Sequence, residues 1–295
     1  IDIYVKFNPK RYAGLNISKV LIHNVKEGQV LHGSRDYIQI EREGYTVELI
    51  PIMDIKKVED AHNITDISPF HKKFVLKHKR YQNEIRLSKA FAKANHCYGA
   101  ESYIKGFSGY SLEVLTIHYK GFNKLLKAAS KWKSKTIIDT LNLHQGNVVL
   151  NKSKMHSPLI LVDPVQDTRN VTAVISLEKY LLFKNAAKRF LRKPNAKYFV
   201  KQDFSLEKLQ KKNKGKLICI EVQPLGGKRD VVGAKLLKSF EYLLKELESN
   251  NFVVKDSGWH WGDNALLWFM LPHSRLPAKV KHYGPPRSSK DRLIH

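Results

Sequence analysis

The segment DYIQIEREGYTVELIPI (36–52) leaves the chain little choice of local structure. Two runs alternate apolar and polar side chains about Gly44, the signature of a β-hairpin with one buried and one open face. Thr46, Glu48 and Ile50 fall on one face of the second run, and Val47, Leu49 and Pro51 on the other. Glu48 therefore places a carboxylate in an otherwise apolar strand. The opening IDIYVKF does the same, with Asp2 between Ile1 and Ile3 on another strand. Two acids from strands of one sheet form a candidate site for a divalent cation, held by carboxylates and substrate phosphates. The pattern also fits two acids on a solvated face.

Around these strands the sequence reads as mixed α and β. NISKVLIHNVKEG forms a short helix ended by Gly28, and helical periodicity takes over after Pro69. In NEIRLSKAFAKANH (83–96), Ile85, Leu87, Ala90, Phe91 and Ala94 make one apolar stripe, with Lys89 away from Phe91. GYSLEVLTIHYKG and FNKLLKAASKW continue as helices, and LILVDP is a short buried strand. SLEKYLLFKNAAKRFLRK (176–193) is a long basic helix capped by Ser176 and stopped by Pro194. QKKNKGK (210–216) reads as a charged linker, followed by KLICIEV, a long helix, then NFVVK and NALLWFMLP as strands. Gly33-Ser34 reads as a turn rather than a phosphate cradle.

The 295 residues carry 52 Lys+Arg against 27 Asp+Glu, a formal charge of +25. Such an excess points to a polyanionic partner, nucleic acid above all, and the 13 Tyr, 13 Phe and 4 Trp supply stacking surfaces. Cys97 and Cys219 stand in no CxxC spacing and the histidines in no HExxH motif, which speaks against a zinc site or a disulfide framework. No apolar run reaches the roughly 18 residues of a membrane span, so a cytoplasmic protein is expected. The start at Ile within a strand and the polar end KHYGPPRSSKDRLIH suggest a fragment at both ends.

From Ile1 to about Asn170 the motifs IDIYVKF, VELIPI, SPFHKKF, NEIRLSK, CYGAE, KGFSGYSLEVL and DPVQDTRN occur in one order. That order resembles the archaeal-type CCA-adding enzymes, the class I tRNA nucleotidyltransferases of the polymerase-β-like superfamily. The resemblance is traceable more weakly to KHYGPP. It implies a multidomain α+β protein: a palm remnant over 1–72, a helical central domain over 73–204 and a C-terminal α+β sandwich over 205–295. It further implies template-independent addition of C, C and A to tRNA 3′ ends from CTP and ATP. Asp2 and Glu48 would be catalytic and bind Mg²⁺; His71, Lys89 and Tyr98 would hold the incoming nucleotide, and Arg169 would read its base. Lys184, Lys188, Arg189 and Arg192 would follow tRNA phosphates. Gly106, Phe107, Gly109 and Tyr110 read as packing and turn residues, while Glu113 either supports Arg169 or belongs to another network.

The chain departs from the family pattern in three ways. The Gly-Ser turn and first metal acid belong before Ile1, the third acid is Glu48 instead of Asp, and the tRNA-gripping tail is largely missing. The extra methylene displaces the carboxylate by about 1.5 Å, and Mg²⁺ tolerates displacement poorly. Little or no transfer by the chain alone is the expectation, relieved by a complementary N-terminal fragment; a homodimer is a further possibility. The alternatives are a non-catalytic tRNA-binding relative, and a poly(A) polymerase or oligoadenylate synthetase relative that would lack the KGFSGY and DPV…RN pair.

Overall fold

A computed structural model describes residues 1–202, 204–212, 216–273 and 275–276. The chain forms two compact units, Ile1–Gln202 and Asp203–His295.

The first unit begins with a four-stranded sheet in the order β1-β4-β3-β2: β1 Asp2–Phe7, β2 Gln29–Leu31, β3 Tyr37–Arg42 and β4 Tyr45–Met53. The β3–β4 hairpin turns at Glu43 and Gly44, with φ of 51° and 76°. Two left-handed residues in a two-residue loop match the right-handed twist of the flanking strands. β1 pairs with β4 in parallel, setting Asp2 directly beside Glu48. Helix α1 (Ile17–Asn24) covers one sheet face through Ile17 and Leu21, packed with Phe7 and Ile38.

Helix α2 (Ile64–Lys77) starts earlier than the sequence suggests, and Pro69 lies inside it. The start is fixed by a capping box, in which Asn63 and Asp66 satisfy each other's backbone N–H groups. Asp66, fully buried, also accepts the Met53 N–H at 2.8 Å and a two-pronged Arg35 ion pair. One carboxylate thus ties the N-terminus of α2 to the end of β4.

Helices α3 (Gln82–Ala94), α4 (Gly109–His118), α5 (Phe122–Ala129) and α6 (Leu177–Arg192) share an aromatic core around Phe91, Phe107 and Phe183. Leu87, expected on the apolar stripe of α3, is 41% exposed. Ser88 faces inward instead and bonds Thr116 of α4 at 2.8 Å, because it lies three residues from both Ile85 and Phe91. Strand β6 (Leu159–Val162) is fully buried beside its parallel partner β5 (Thr136–Asp139). β5 and β2 are too short to stand out by periodicity.

The second unit contains α7 (Leu206–Lys212), β7 (Lys216–Val222), α8 (Arg229–Ser249), β8 (Asp256–Trp261) and β9 (Ala265–Leu271), with sheet order β7-β9-β8. α7 occupies the start of the expected charged linker; residues 213–215 and KHYGPP lie outside the described residues. NFVVK is not a strand. Its Phe252 N–H instead bonds the Leu247 carbonyl, closing the end of α8. The strand is DSGWHW, whose glycine hides it from β propensity. A Cβ on Gly258 would stand 2.6 Å from the Trp268 indole, so the strand needs glycine there.

The two cysteines differ in environment. Cys97 is buried and its thiol is pushed up to about 12 by desolvation, whereas Cys219 is exposed. Native protein should therefore release one thiol equivalent to Ellman's reagent promptly and the second only on unfolding. Two equivalents reacting at equal rates would contradict this placement.

Candidate active site

Register brings the two predicted acids together. Residues directly opposite across a sheet share a face, and Asp2, Glu48 and Gln39 form one continuous row across β1, β4 and β3. Gln39 donates its side-chain amide to Glu48 Oε1 at 3.1 Å. Tyr37 lies two residues along β3 on the same face. Burial, then the charges of Glu48 and Asp2, raise its phenol above the ordinary tyrosine value. Among the described residues no group of three or more His, Cys, Asp or Glu side chains could hold a metal ion. Two carboxylates side by side still fit a divalent cation whose remaining ligands are phosphate oxygens and water.

His71, Lys89, Tyr98 and Arg169 come from four separate segments and gather around the first turns of α4. At the end of β6, Asp163 is fully buried. Its Oδ2 meets His71 Nε2 at 3.0 Å and Arg169 Nη1 at 2.8 Å, while its Oδ1 accepts the Tyr110 hydroxyl at 3.0 Å and the Val165 N–H at 2.9 Å. Burial alone would raise the Asp163 pKa. The His71 hydrogen bond and charge, the Val165 N–H and Arg169 outweigh it and hold the carboxyl below its ordinary value. The Tyr110 ring packs against His71 with centroids 4.2 Å apart. The hydroxyl is held far above the ordinary tyrosine value, first by burial and then by the Asp163 charge. It stays a proton donor.

Lys89 completes the other side. Its ammonium contacts Glu113 of α4 at 2.6 Å, so Glu113 serves Lys89 and the ion-pair partner of Arg169 is Asp163. Tyr98 belongs to an isolated parallel bridge with Phe107. Gly106 is required there, since a Cβ would stand 2.3 Å from the Cys97 carbonyl oxygen. At Gly109 a Cβ would lie 3.1 Å from the Tyr98 hydroxyl and 3.5 Å from Lys89 Nζ. The glycine thus gives these two groups a common floor.

The sequence does not single out Asp163, and Tyr110, expected to pack, both packs against the core and hydrogen-bonds Asp163. Both lie within the quoted motifs, but only burial reveals that one carboxylate organises three side chains. The basic helix is divided. Lys188, Arg189 and Arg192 are exposed, whereas Lys184 is half-buried and donates to the Trp132 carbonyl. Gly33-Ser34 lies in a bend that lines a cavity of about 810 Å³ together with Asn16, Ile17 and Ser18 at the start of α1. No helix among the described residues is long and apolar enough to cross a membrane.

Residues 83–200 match the family model described as tRNA nucleotidyltransferase, second domain. The CCA-adding enzyme of Nanoarchaeum equitans is 38% identical, over 97% of this chain and 72% of its own length. That of Saccharolobus shibatae is 31% identical, over 97% of this chain and 68% of its own. A solved structure of a cytoplasmic RNA terminal U-transferase aligns with 69% of this chain and 81% of its own, at 12% identity and a TM-score of 0.49. By identity with relatives matched along nearly its entire length, the chain belongs to the archaeal-type CCA-adding enzyme family of tRNA nucleotidyltransferases.

Proposed function

We propose that this chain supplies the nucleotide-selecting pocket of a CCA-adding enzyme, which acts on tRNA with CTP and ATP. The observation that carries the reading is the gathering of His71, Lys89, Tyr98 and Arg169 around α4. Palm residues 1–72, a central domain over 73–204 and a body domain over 205–295 would divide the labour.

Lys89 would place a point charge on the triphosphate, with Tyr98 and His71 adding directional donors. Arg169 bonds Asp163 through Nη1, and the rest of its fork would face the base edge and a phosphate oxygen. Glu113 keeps the ammonium in place before the nucleotide arrives. Asp2 and Glu48 would hold Mg²⁺, which supplies positive charge for deprotonating the tRNA 3′ hydroxyl and for the departing pyrophosphate. In the net step the terminal 3′ oxygen bonds the α-phosphorus and the bond to pyrophosphate breaks. Lys188, Arg189 and Arg192 would follow tRNA phosphates; Lys184 would contribute less, given its bond to Trp132.

The rival reading, a non-catalytic tRNA-binding relative, draws on Glu48, a longer acid than the family pattern calls for. Calorimetry with CTP and ATP separates the two. Mg²⁺-dependent binding of both nucleotides, lost in Lys89→Ala, is expected. Binding of tRNA with no affinity for either nucleotide would favour the rival.

A further inference from the structure

We infer that Gln39 is a positioning residue that holds the Glu48 carboxylate for a divalent cation shared with Asp2. The inference rests on the reading above that these two acids form a metal site, and it explains how a glutamate can serve there.

A glutamate has one more side-chain torsion than an aspartate, so its carboxylate sweeps a wider volume. On an open sheet face nothing in β4 itself would fix it. β3 supplies the restraint. The Gln39 amide reaches Glu48 Oε1 at 3.1 Å from the directly paired position. This donor stands on the strand opposite β1, since β4 separates β3 from β1. It draws the carboxylate toward β3, leaving room between two like charges that would otherwise crowd one another. An amide is neutral, so it orients the carboxylate without cancelling the charge a cation needs. Groups that orient metal ligands in this way typically change metal affinity by about 10–100-fold when removed.

Mn²⁺ binding to the whole chain, followed by electron paramagnetic resonance, tests the idea. Gln39→Leu should weaken Mn²⁺ binding by about tenfold or more, while Gln29→Ala, at the far end of the same row, should not. The decisive arm is the Glu48→Asp background. Shortened by a methylene, the carboxylate no longer reaches the Gln39 amide, so adding Gln39→Leu should cost less than about threefold. Equal losses in both backgrounds would mean that Gln39 merely supports the sheet, and would overturn the inference. So would unchanged affinity in Gln39→Leu when Asp2→Asn abolishes binding, a result that leaves the metal reading standing. Failure of the unaltered chain to bind Mn²⁺ at all would remove both.

Discussion

Asp163→Ala should lower the stability of the 1–202 unit by about 3–5 kcal/mol at pH 7, the range for breaking a buried charged pair. The carboxylate is wholly buried and accepts from four donors, so its loss strands the Arg169 guanidinium, the Tyr110 hydroxyl and the Val165 N–H together. Asp163→Asn separates the structural from the binding role. The amide oxygen can still accept from Val165 and Tyr110, but an NH₂ group would face Arg169 and His71, repelling the donors the carboxylate attracted. CTP and ATP affinity should fall by on the order of 100-fold, the cost of misplacing a positioning group, with a smaller loss of stability than in the alanine variant. Nucleotide affinity equal to that of the unaltered chain would disprove the link between Asp163 and the pocket.

The pH dependence has a defined sign. The Asp163 pKa is lowered in the folded state, so its stabilising contribution is complete above the unfolded value of about 3.9. It is lost as pH falls through the lower folded value. Urea midpoints of the unaltered chain and Asp163→Asn should converge as pH falls below about 4.

How much of this could be read beforehand depended on whether a residue's role is local. The β3–β4 hairpin was legible because alternation and a two-residue turn at Gly44 are local signals. The Asp2–Glu48 pairing followed from two acids in strands of one sheet, although only the parallel register makes them immediate neighbours. His71, Lys89, Tyr98 and Arg169 came from motif resemblance, and α4 explains why such distant residues travel together. Partners were harder. Lys89 could not be assigned to Glu113, nor Arg169 to Asp163, because two acids and two cations permit both pairings until α3, α4 and β6 are packed. Lys184 illustrates the same limit: at helical spacing it looks like Lys188 and Arg192, and only the nearby Trp132 carbonyl distinguishes it. Gly258 misled for the opposite reason, since a residue unfavourable in strands is needed to admit an indole.

Arg35→Met tests the other buried carboxylate, the joint between the acid-bearing sheet and the helix that carries His71. The Arg35 side chain is 14% exposed and that of Asp66 is 0% exposed, and the guanidinium also donates to the Pro51 carbonyl at 3.2 Å. Removing it leaves Asp66 buried, with only the Met53 and Asn63 N–H groups as partners. A loss of about 3–5 kcal/mol at pH 7 is expected. Burial favours the neutral acid, while the Arg35 hydrogen bond, the Met53 N–H and the Arg35 charge overcome that and hold the Asp66 pKa below its usual value. Without the arginine, burial regains the upper hand and the folded-state pKa rises, so protonation now stabilises the variant. Its deficit should therefore be greatest at neutral pH and shrink as pH falls toward 4. Adding Asp66→Asn to Arg35→Met should recover part of the loss. Recovery stays incomplete because the asparagine can accept the Met53 and Asn63 N–H groups through only one oxygen. Chemical denaturation of the single and double variants across pH 4–7 measures each quantity. A pH-independent deficit would show that Arg35 acts by filling space, whereas a deficit that narrows in acid identifies the charge on Asp66 as what fastens α2 to the sheet.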